Sequence, residues 1–396
     1  MFINDDSGYP VISLFAGAGG LDLAAEQGGT ENILGSKQHL HIAVATDYDN
    51  LALKSLSLNM PNTRTLCADI RETSTEALME LGGLRPGDAT LVIGGPPCTP
   101  FSKSGFWLKE KRESRDPNAS LLDEYVRVVR DARPEAFILE NVQALTYRTH
   151  QQQFSRLISH LQELGYNPQW RVLLAAEYGI PQLRRRVFVV GRRDGKPFIF
   201  PPTTHSGVSE RDRVLDPTKL PFVTSSQALQ GIEQNPPEAS EVVEGRYADL
   251  AASVPPGQNY LWHTSRYKGE NAFEWRSRYW TFLLRLDPDR PATTLQAQPG
   301  PWVGPFHWQN VINSDGMQRA RRLRIPEMLR LMTFPDGFRL AGNREDAQRQ
   351  LGNAVPVKLG AIVVRTLLIQ LGYLNPQSDE EDLMTGVHKI RQLALI

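Results

Sequence analysis

The chain has 396 residues, with 44 Lys and Arg against 44 Asp and Glu, so its formal net charge is zero. That balance removes any global pull toward a polyanion and leaves only a local patch for nucleic-acid contact. Two cysteines, Cys67 and Cys98, exclude a disulfide framework and offer no metal-ligand spacing. Residues 1–10 carry neither a basic n-region nor an apolar h-region, and no apolar run approaches the roughly 20 residues of a membrane span. The expectation is a cytoplasmic protein with no membrane association, long enough for two domains.

Val11-Ile12-Ser13-Leu14-Phe15 reads as an apolar strand running into Ala16-Gly17-Ala18-Gly19-Gly20-Leu21-Asp22-Leu23. Small residues followed by a helix-forming run predict a strand–turn–helix in which backbone approaches a ligand closely. Such a turn suits a dinucleotide, a phosphate, an adenosyl group or no ligand. The order is not Gly-x-Gly-x-x-Gly, which weighs against a nicotinamide cofactor, and the Lys-Ser/Thr pair of a P-loop is missing. His41-Ile42-Ala43-Val44-Ala45-Thr46 is the second strand, and Asp47 at its end suits ribose hydroxyls. Asp47 lies beyond the usual gap of about 20 residues, and residues 28–39 read as an inserted loop. A helix follows over 49–59. Thr65-Leu66-Cys67-Ala68-Asp69-Ile70 is a third strand; Asp69 at its end either touches a ligand or caps a helix, and Cys67 within it reads as structural.

Ala89-Thr90-Leu91-Val92-Ile93 is a buried strand stopped by Gly94-Gly95-Pro96-Pro97-Cys98-Thr99-Pro100-Phe101-Ser102. A thiol held on a stiff turn at a strand's carboxyl edge is either a nucleophile or a small buried hydrophobe. Polar, basic sequence over 103–115 precedes a helix over 118–131. Ala136-Phe137-Ile138-Leu139 is the next strand, ending in Glu140-Asn141-Val142. Glu140 faces the edge that carries Cys98, as an acid beside a nucleophile or as a charge at a helix N-terminus. A helix over 154–164 and a strand over 170–177 lead to Gln182-Leu183-Arg184-Arg185-Arg186, where strand alternation puts Arg184 and Arg186 on one face and Arg185 on the other. Their guanidinium groups suit a phosphate or a base carbonyl, or form a solvated edge.

After residue 201 prolines, serines and mixed charges replace the strand–helix rhythm. Trp262, Tyr267, Phe273, Trp275, Tyr279 and Trp280 then interleave with Arg266, Lys268, Arg276 and Arg278. This composition suits DNA contact and equally the core of a small β-rich domain. A basic cluster over 319–324 precedes a helix opening with Pro326. Gly352-Asn353-Ala354-Val355-Pro356 leads into an apolar helix over 357–371 that reads as core returning to the first domain.

In this order the pieces resemble the cytosine-C5 DNA methyltransferases. Phe15-Ala16-Gly17-Ala18-Gly19-Gly20 is similar to that family's first motif and Gly95-Pro96-Pro97-Cys98 to its nucleophile motif. Glu140-Asn141-Val142 resembles its acid motif, Gln182 to Arg186 its Gln-x-Arg-x-Arg motif, 321–338 its ninth motif and 352–355 its tenth. The ninth departs from the pattern, with Arg324-Ile325 where a Thr commonly sits. The resemblance implies an α/β fold, a Rossmann-like S-adenosylmethionine-dependent methyltransferase sheet with a smaller, irregular β-rich target-recognition domain. It implies a catalytic and cofactor-binding domain over 1–200, a target-recognition domain over 201–320, a return segment over 321–375 and a tail over 376–396.

The resemblance also implies the chemistry. Cys98 adds to C6 of a flipped cytosine, Glu140 shares a proton with N3, Arg186 holds the base carbonyl, and Arg184 lies nearby on phosphate or base. S-adenosyl-L-methionine donates the methyl to C5. Phe15 stacks on its adenine, Asp47 holds the ribose hydroxyls, Tyr48 lies beside the adenine, and Asp69 and Ile70 frame its amino edge. Gly17, Ala18, Gly20 and Leu21 admit the methionine end, and Pro97, Leu121 and Asn353 line the cleft. The loop over 103–115 closes on the base. The implied partner is double-stranded DNA, with a monomeric enzyme protecting it from a cognate restriction endonuclease. Some relatives methylate transfer RNA, but the long stretch 201–290 favours a DNA-reading domain.

Overall fold

The computed structural model describes residues 8–29, 31–33, 36–97, 121–207, 216, 218–232, 236, 238–267 and 279–375. Its main sheet is built from β1 (Tyr9–Leu14), β2 (Leu40–Asp47), β3 (Arg64–Cys67), β4 (Leu91–Gly94), β5 (Ala136–Val142), β6 (Gln169–Leu174) and β7 (Arg185–Arg192). The strand order is β3-β2-β1-β4-β5-β7-β6. The first five pair in parallel, and β7 runs antiparallel between β5 and β6.

Both faces of this sheet are covered, which is why its strands are apolar runs rather than alternating ones. Val11, Ile42, Ile93 and Ile138 face one layer, formed by α1 (Gly20–Gly28), α2 (Asn50–Asn59) and α9 (Val357–Leu371). Their chain neighbours Ile12, Val92, Phe137 and Leu139 face the other, formed by α3 (Thr75–Gly82), α4 (Leu121–Ala132) and α5 (Gln151–Glu163). Alternate residues of one strand therefore feed two cores. Helix α9 returns from the end of the chain to lie on α1, Gly360 against Leu21 and Ala24. The stretch 344–371 that contains it is long and apolar enough to cross a membrane by composition, but Val357, Leu359, Val363, Val364, Leu367 and Leu368 are buried in the core of this fold.

Several boundaries differ from the sequence reading. Residues 28–39 are not a plain loop: Glu31–Ile33 and Ser36–Gln38 pair as an antiparallel hairpin. Strand β3 stops at Cys67, and Cys67 is exposed rather than structural, its Sγ 3.6 Å from the Tyr48 carbonyl. Strand β5 continues through Val142, so Glu140 sits within the strand, opposite Phe188.

A third core collects Val243, Tyr247, Val254, Tyr260, Phe282, Leu283, Phe306 and Ala320, with α6 (Ala248–Ser253) beside the antiparallel pair β8 (Phe306–Ile312) and β9 (Gln318–Arg322). Arg285 is buried at its centre and donates to the carbonyls of Ala252, Val254, His307 and Trp308. One guanidinium thus satisfies main chain that so irregular a fold cannot pair in ladders. Trp262, Tyr267, Tyr279 and Trp280 are all exposed, so these four do not build that core. Phe273, Trp275, Lys268, Arg276 and Arg278 lie outside the described residues.

From β9 the chain enters α7 (Ile325–Leu331), then α8 (Arg344–Asn353) and α9. Arg321 of β9 makes a bidentate pair with Glu327 of α7, at 2.8 and 2.7 Å, with both side chains buried. Burial opposes the charge on Glu327, but the Arg321 fork outweighs it and holds the carboxyl below its ordinary range.

Candidate active site

Strand order reverses between β1 and β4, and the carboxyl ends of those strands are where an open α/β sheet binds ligands. Strand β1 leaves the sheet through Phe15, whose φ of 53° is left-handed, an uncommon state for a bulky residue. Gly17 follows with φ 56°, and a Cβ placed there would meet nothing within 4 Å. Its N–H donates to Asp47 Oδ2 at 2.8 Å, and the Asp49 N–H donates to Asp47 Oδ1 at 2.8 Å. The Asp47 carboxylate therefore bridges the glycine turn and the start of α2. Burial pushes its carboxyl above the ordinary range despite the N–H groups of Asp49, Gly17 and Tyr48.

Tyr48 beside it is 73% exposed. Asp69 does not cap α3, whose N-cap is Ser74; its carboxylate instead takes the guanidinium and N–H of Arg71, and that pairing holds it below its ordinary range. Ile70, Leu121, Ala18 and Leu21 are buried, and Pro97 is half-buried. Gly20 lies against Ala354 and Val355, so the end of α8, with exposed Asn353, abuts the glycine turn. A carboxylate for a diol, aromatic rings at positions 15 and 48 and open space over Gly17 fit a nucleoside-bearing cofactor.

The second half of the site lies on β4, β5 and β7. Glu140 is buried, and its Oε1 stands 2.9 Å from Arg186 Nε. Burial raises the Glu140 carboxyl, outweighing the opposing guanidinium groups of Arg186 and Arg184. A Cβ on Gly95 would fall 3.3 Å from Glu140 Oε2, so a residue without a side chain lets the turn after β4 close on the acid. Asn141 Nδ2 donates to the Pro96 carbonyl at 3.2 Å, tying the same turn to β5. Cys98 and residues 103–115 lie outside the described residues, which resume the trace of that turn only as far as Pro97.

Arg184, expected on phosphate or base, is turned to main chain instead. It is fully buried and donates to the carbonyls of Leu295, Gly352 and Ala354, at 3.3, 2.8 and 2.8 Å. It precedes β7 rather than alternating within it, which frees its side chain to reach those segments. Gln182 is a second buried staple, bonded to Leu331 and Leu295. Sequence reading assigned Asn141 no role, although Asn beside an acid at a strand end is a signal for one. Asp22, an acid between leucines to which the sequence alone attaches no role, is fully buried and faces the Ser13 hydroxyl.

Residues 9–368 match the family model described as C-5 cytosine-specific DNA methylase. The chain is 68% identical over 368 residues to the type II methyltransferase M.SacI of Streptomyces achromogenes, covering 92% of this chain and 94% of that protein. It is 30% identical to the type II methyltransferase M.FnuDI of Fusobacterium nucleatum, covering 90% and 93%. Among solved structures, the Entamoeba histolytica methyltransferase EhMeth is similar with a TM-score of 0.63 at 17% identity, over 92% of this chain and 99% of that one. The S. pombe Dnmt2 methyltransferase gives 0.60 at 18%, over 92% and 99%. These two likenesses bear on fold alone and agree with the sheet described above. A family match across nearly the whole chain, joined to a buried acid paired with an arginine beside Gly95, makes this chain a member of the C-5 cytosine-specific DNA methylases, a DNA (cytosine-5-)-methyltransferase.

Proposed function

We propose that the protein flips a cytosine out of a short double-stranded DNA site and activates it covalently through Cys98. The observation that carries this reading is the buried Glu140 paired with the half-buried Arg186 beside Gly95, three residues before Cys98. C5 of cytosine is a weak nucleophile. Addition of the Cys98 thiolate to C6 turns the 5,6 double bond into an electron pair available at C5. Glu140 delivers a proton to N3 as this happens, so that charge does not accumulate on the ring; its raised carboxyl retains a proton to higher pH than an ordinary glutamate. Arg186 orients Glu140 and faces the base carbonyl. Once C5 carries the methyl group, its remaining hydrogen leaves as a proton to solvent, Cys98 is expelled as a thiolate, and N3 returns its proton to Glu140, which restores the aromatic ring.

S-adenosyl-L-methionine, when bound, supplies the methyl group. Asp47 accepts from its ribose hydroxyls, Phe15 and Tyr48 cover the adenine, and Ile70, Pro97, Leu121 and Asn353 line the cleft. Gly17, Ala18, Gly20 and Leu21 shape the methionine end. Asp69 serves this pocket through the turn it makes with Arg71. Arg184 positions the 352–354 segment rather than touching the base.

Residues 1–200 with 321–375 form the catalytic domain, and 201–320 form the reader of DNA, in line with a separate core there. The relatives' designation as type II methyltransferases supports protection of DNA from a cognate restriction endonuclease. Incubation with labelled S-adenosylmethionine and DNA lacking 5-methylcytosine, followed by base-resolution sequencing, is expected to show methylation at one short motif. Label in RNA and none in DNA would overturn the reading.

A further inference from the structure

We infer that Arg349 is a positioning residue for the cofactor, acting on the Asp47 carboxylate through Asp49. The inference rests on the reading of Asp47 as the ribose-holding group. Arg349 lies on α8, some 300 residues along the chain from its partner, and its Nη1 pairs with Asp49 Oδ2 while Nη2 is held by Asp346 at 3.1 Å. Asp49 is the N-cap of α2: its Oδ1 accepts the N–H groups of Leu51 and Ala52, at 3.1 and 3.2 Å. The main-chain N–H of the same residue grips Asp47 Oδ1 at 2.8 Å. Fixing the Asp49 side chain therefore fixes the peptide that orients Asp47.

Charge points the same way. Asp47 and Asp49 are like charges two positions apart, and Asp49 disfavours ionisation of Asp47. A guanidinium on Asp49 offsets that repulsion and keeps Asp47 an acceptor for two hydroxyl donors. The pair is partly shielded, with side-chain exposures of 26% and 18%. The neighbouring residues of α8 and its approach hold the rest of α2. Ser55 Oγ donates to Gln350 Oε1 at 2.6 Å and accepts from the Ala341 N–H at 2.7 Å, and Asn59 bonds both main-chain groups of Arg339. The return segment thus seats the helix whose first turn carries the ribose carboxylate.

Calorimetric binding of S-adenosylmethionine to the full chain, with steady-state rates on DNA, tests this. Arg349→Ala is expected to weaken cofactor binding about tenfold, the scale of one partly shielded charge-assisted bond, and to raise the cofactor KM while kcat at saturation stays within about twofold. Arg349→Lys should recover most of the affinity. Asp49→Asn retains the cap but removes the Asp49 charge together with the ion pair, so it serves if Arg349→Ala melts early; it should lose affinity in the same direction and by less than Arg349→Ala, and the double variant should be no worse than Arg349→Ala alone. Unchanged cofactor affinity in both Arg349→Ala and Asp49→Asn, or a fall in kcat without one in affinity, would overturn the inference. Asp47→Asn separates the two ideas. If it weakens binding and Arg349→Ala does not, only the role of Arg349 fails; if it leaves binding unchanged, the reading of Asp47 fails and this inference with it.

Discussion

Glu140 and Asp22 are both buried carboxyls raised above their ordinary range, yet they have different surroundings. Glu140 stands against Arg186 and beside Gly95, and the proposed mechanism uses its proton. Replacing it with Gln keeps the shape and removes the exchangeable proton. Turnover measured by label incorporation should fall about 10²–10⁴-fold, with DNA binding retained. Asp22 has no cation beside it among the described residues; burial drives its carboxyl up to about 7, with the Ser13 hydroxyl the main opposing influence. Its folded pKa lies above the ordinary 3.8, so folding takes up a proton between those two values. Stability is fully present below about pH 4, declines as pH rises toward 7 and stays lower above it. Asp22→Asn removes this dependence. Thermal melts should show the variant more stable than the wild type at pH 8, by up to about 4 kcal/mol, with the advantage gone near pH 4.

At the scale of elements, the sheet was legible because its strands are short apolar runs ended by Gly, Pro or Asp. Val11 to Leu14, Leu91 to Ile93 and Ala136 to Leu139 fall within strands where periodicity placed them. What the sequence did not reveal depends on partners far along the chain. Nothing local marks Arg184 as a staple for Gly352 and Ala354, because its neighbours Arg185 and Arg186 have the same chemistry. Cys67 reads as internal because Ala68 and Ile70 extend its apolar pattern, whereas the strand ends at Cys67 and its side chain is exposed. The Arg321–Glu327 pair was equally hidden inside a basic cluster, and it anchors the small β-rich unit to α7. Arg321→Met leaves Glu327 charged and buried, and denaturant melts should register a loss of about 3–5 kcal/mol. Changing Glu327 to Leu in the same protein should recover most of that loss, since an apolar pair leaves no uncompensated charge.

For the whole molecule, zero net charge means that DNA affinity depends on local chemistry. The exposed rings of Trp262, Tyr267, Tyr279 and Trp280 stand on segments flanking residues 268–278, beside exposed Arg266. Aromatic faces with arginine suit contact with nucleic acid, and the affinity should decline with salt. Trp280→Ala is expected to weaken DNA binding several-fold in fluorescence titrations at fixed salt, with S-adenosylmethionine affinity unchanged. No residue-to-base code connects such side chains to a target, so the methylated motif is not written in the sequence. The catalytic proposal has a more direct test: release of tritium from DNA labelled at cytosine C5, measured beside methyl transfer for the wild type and for Cys98→Ala. Covalent activation predicts about one hydron released per methyl transferred by the wild type, and neither event in a Cys98→Ala protein that still binds DNA and cofactor. A Cys98→Ala protein that transferred methyl groups to C5 at an undiminished rate would contradict it.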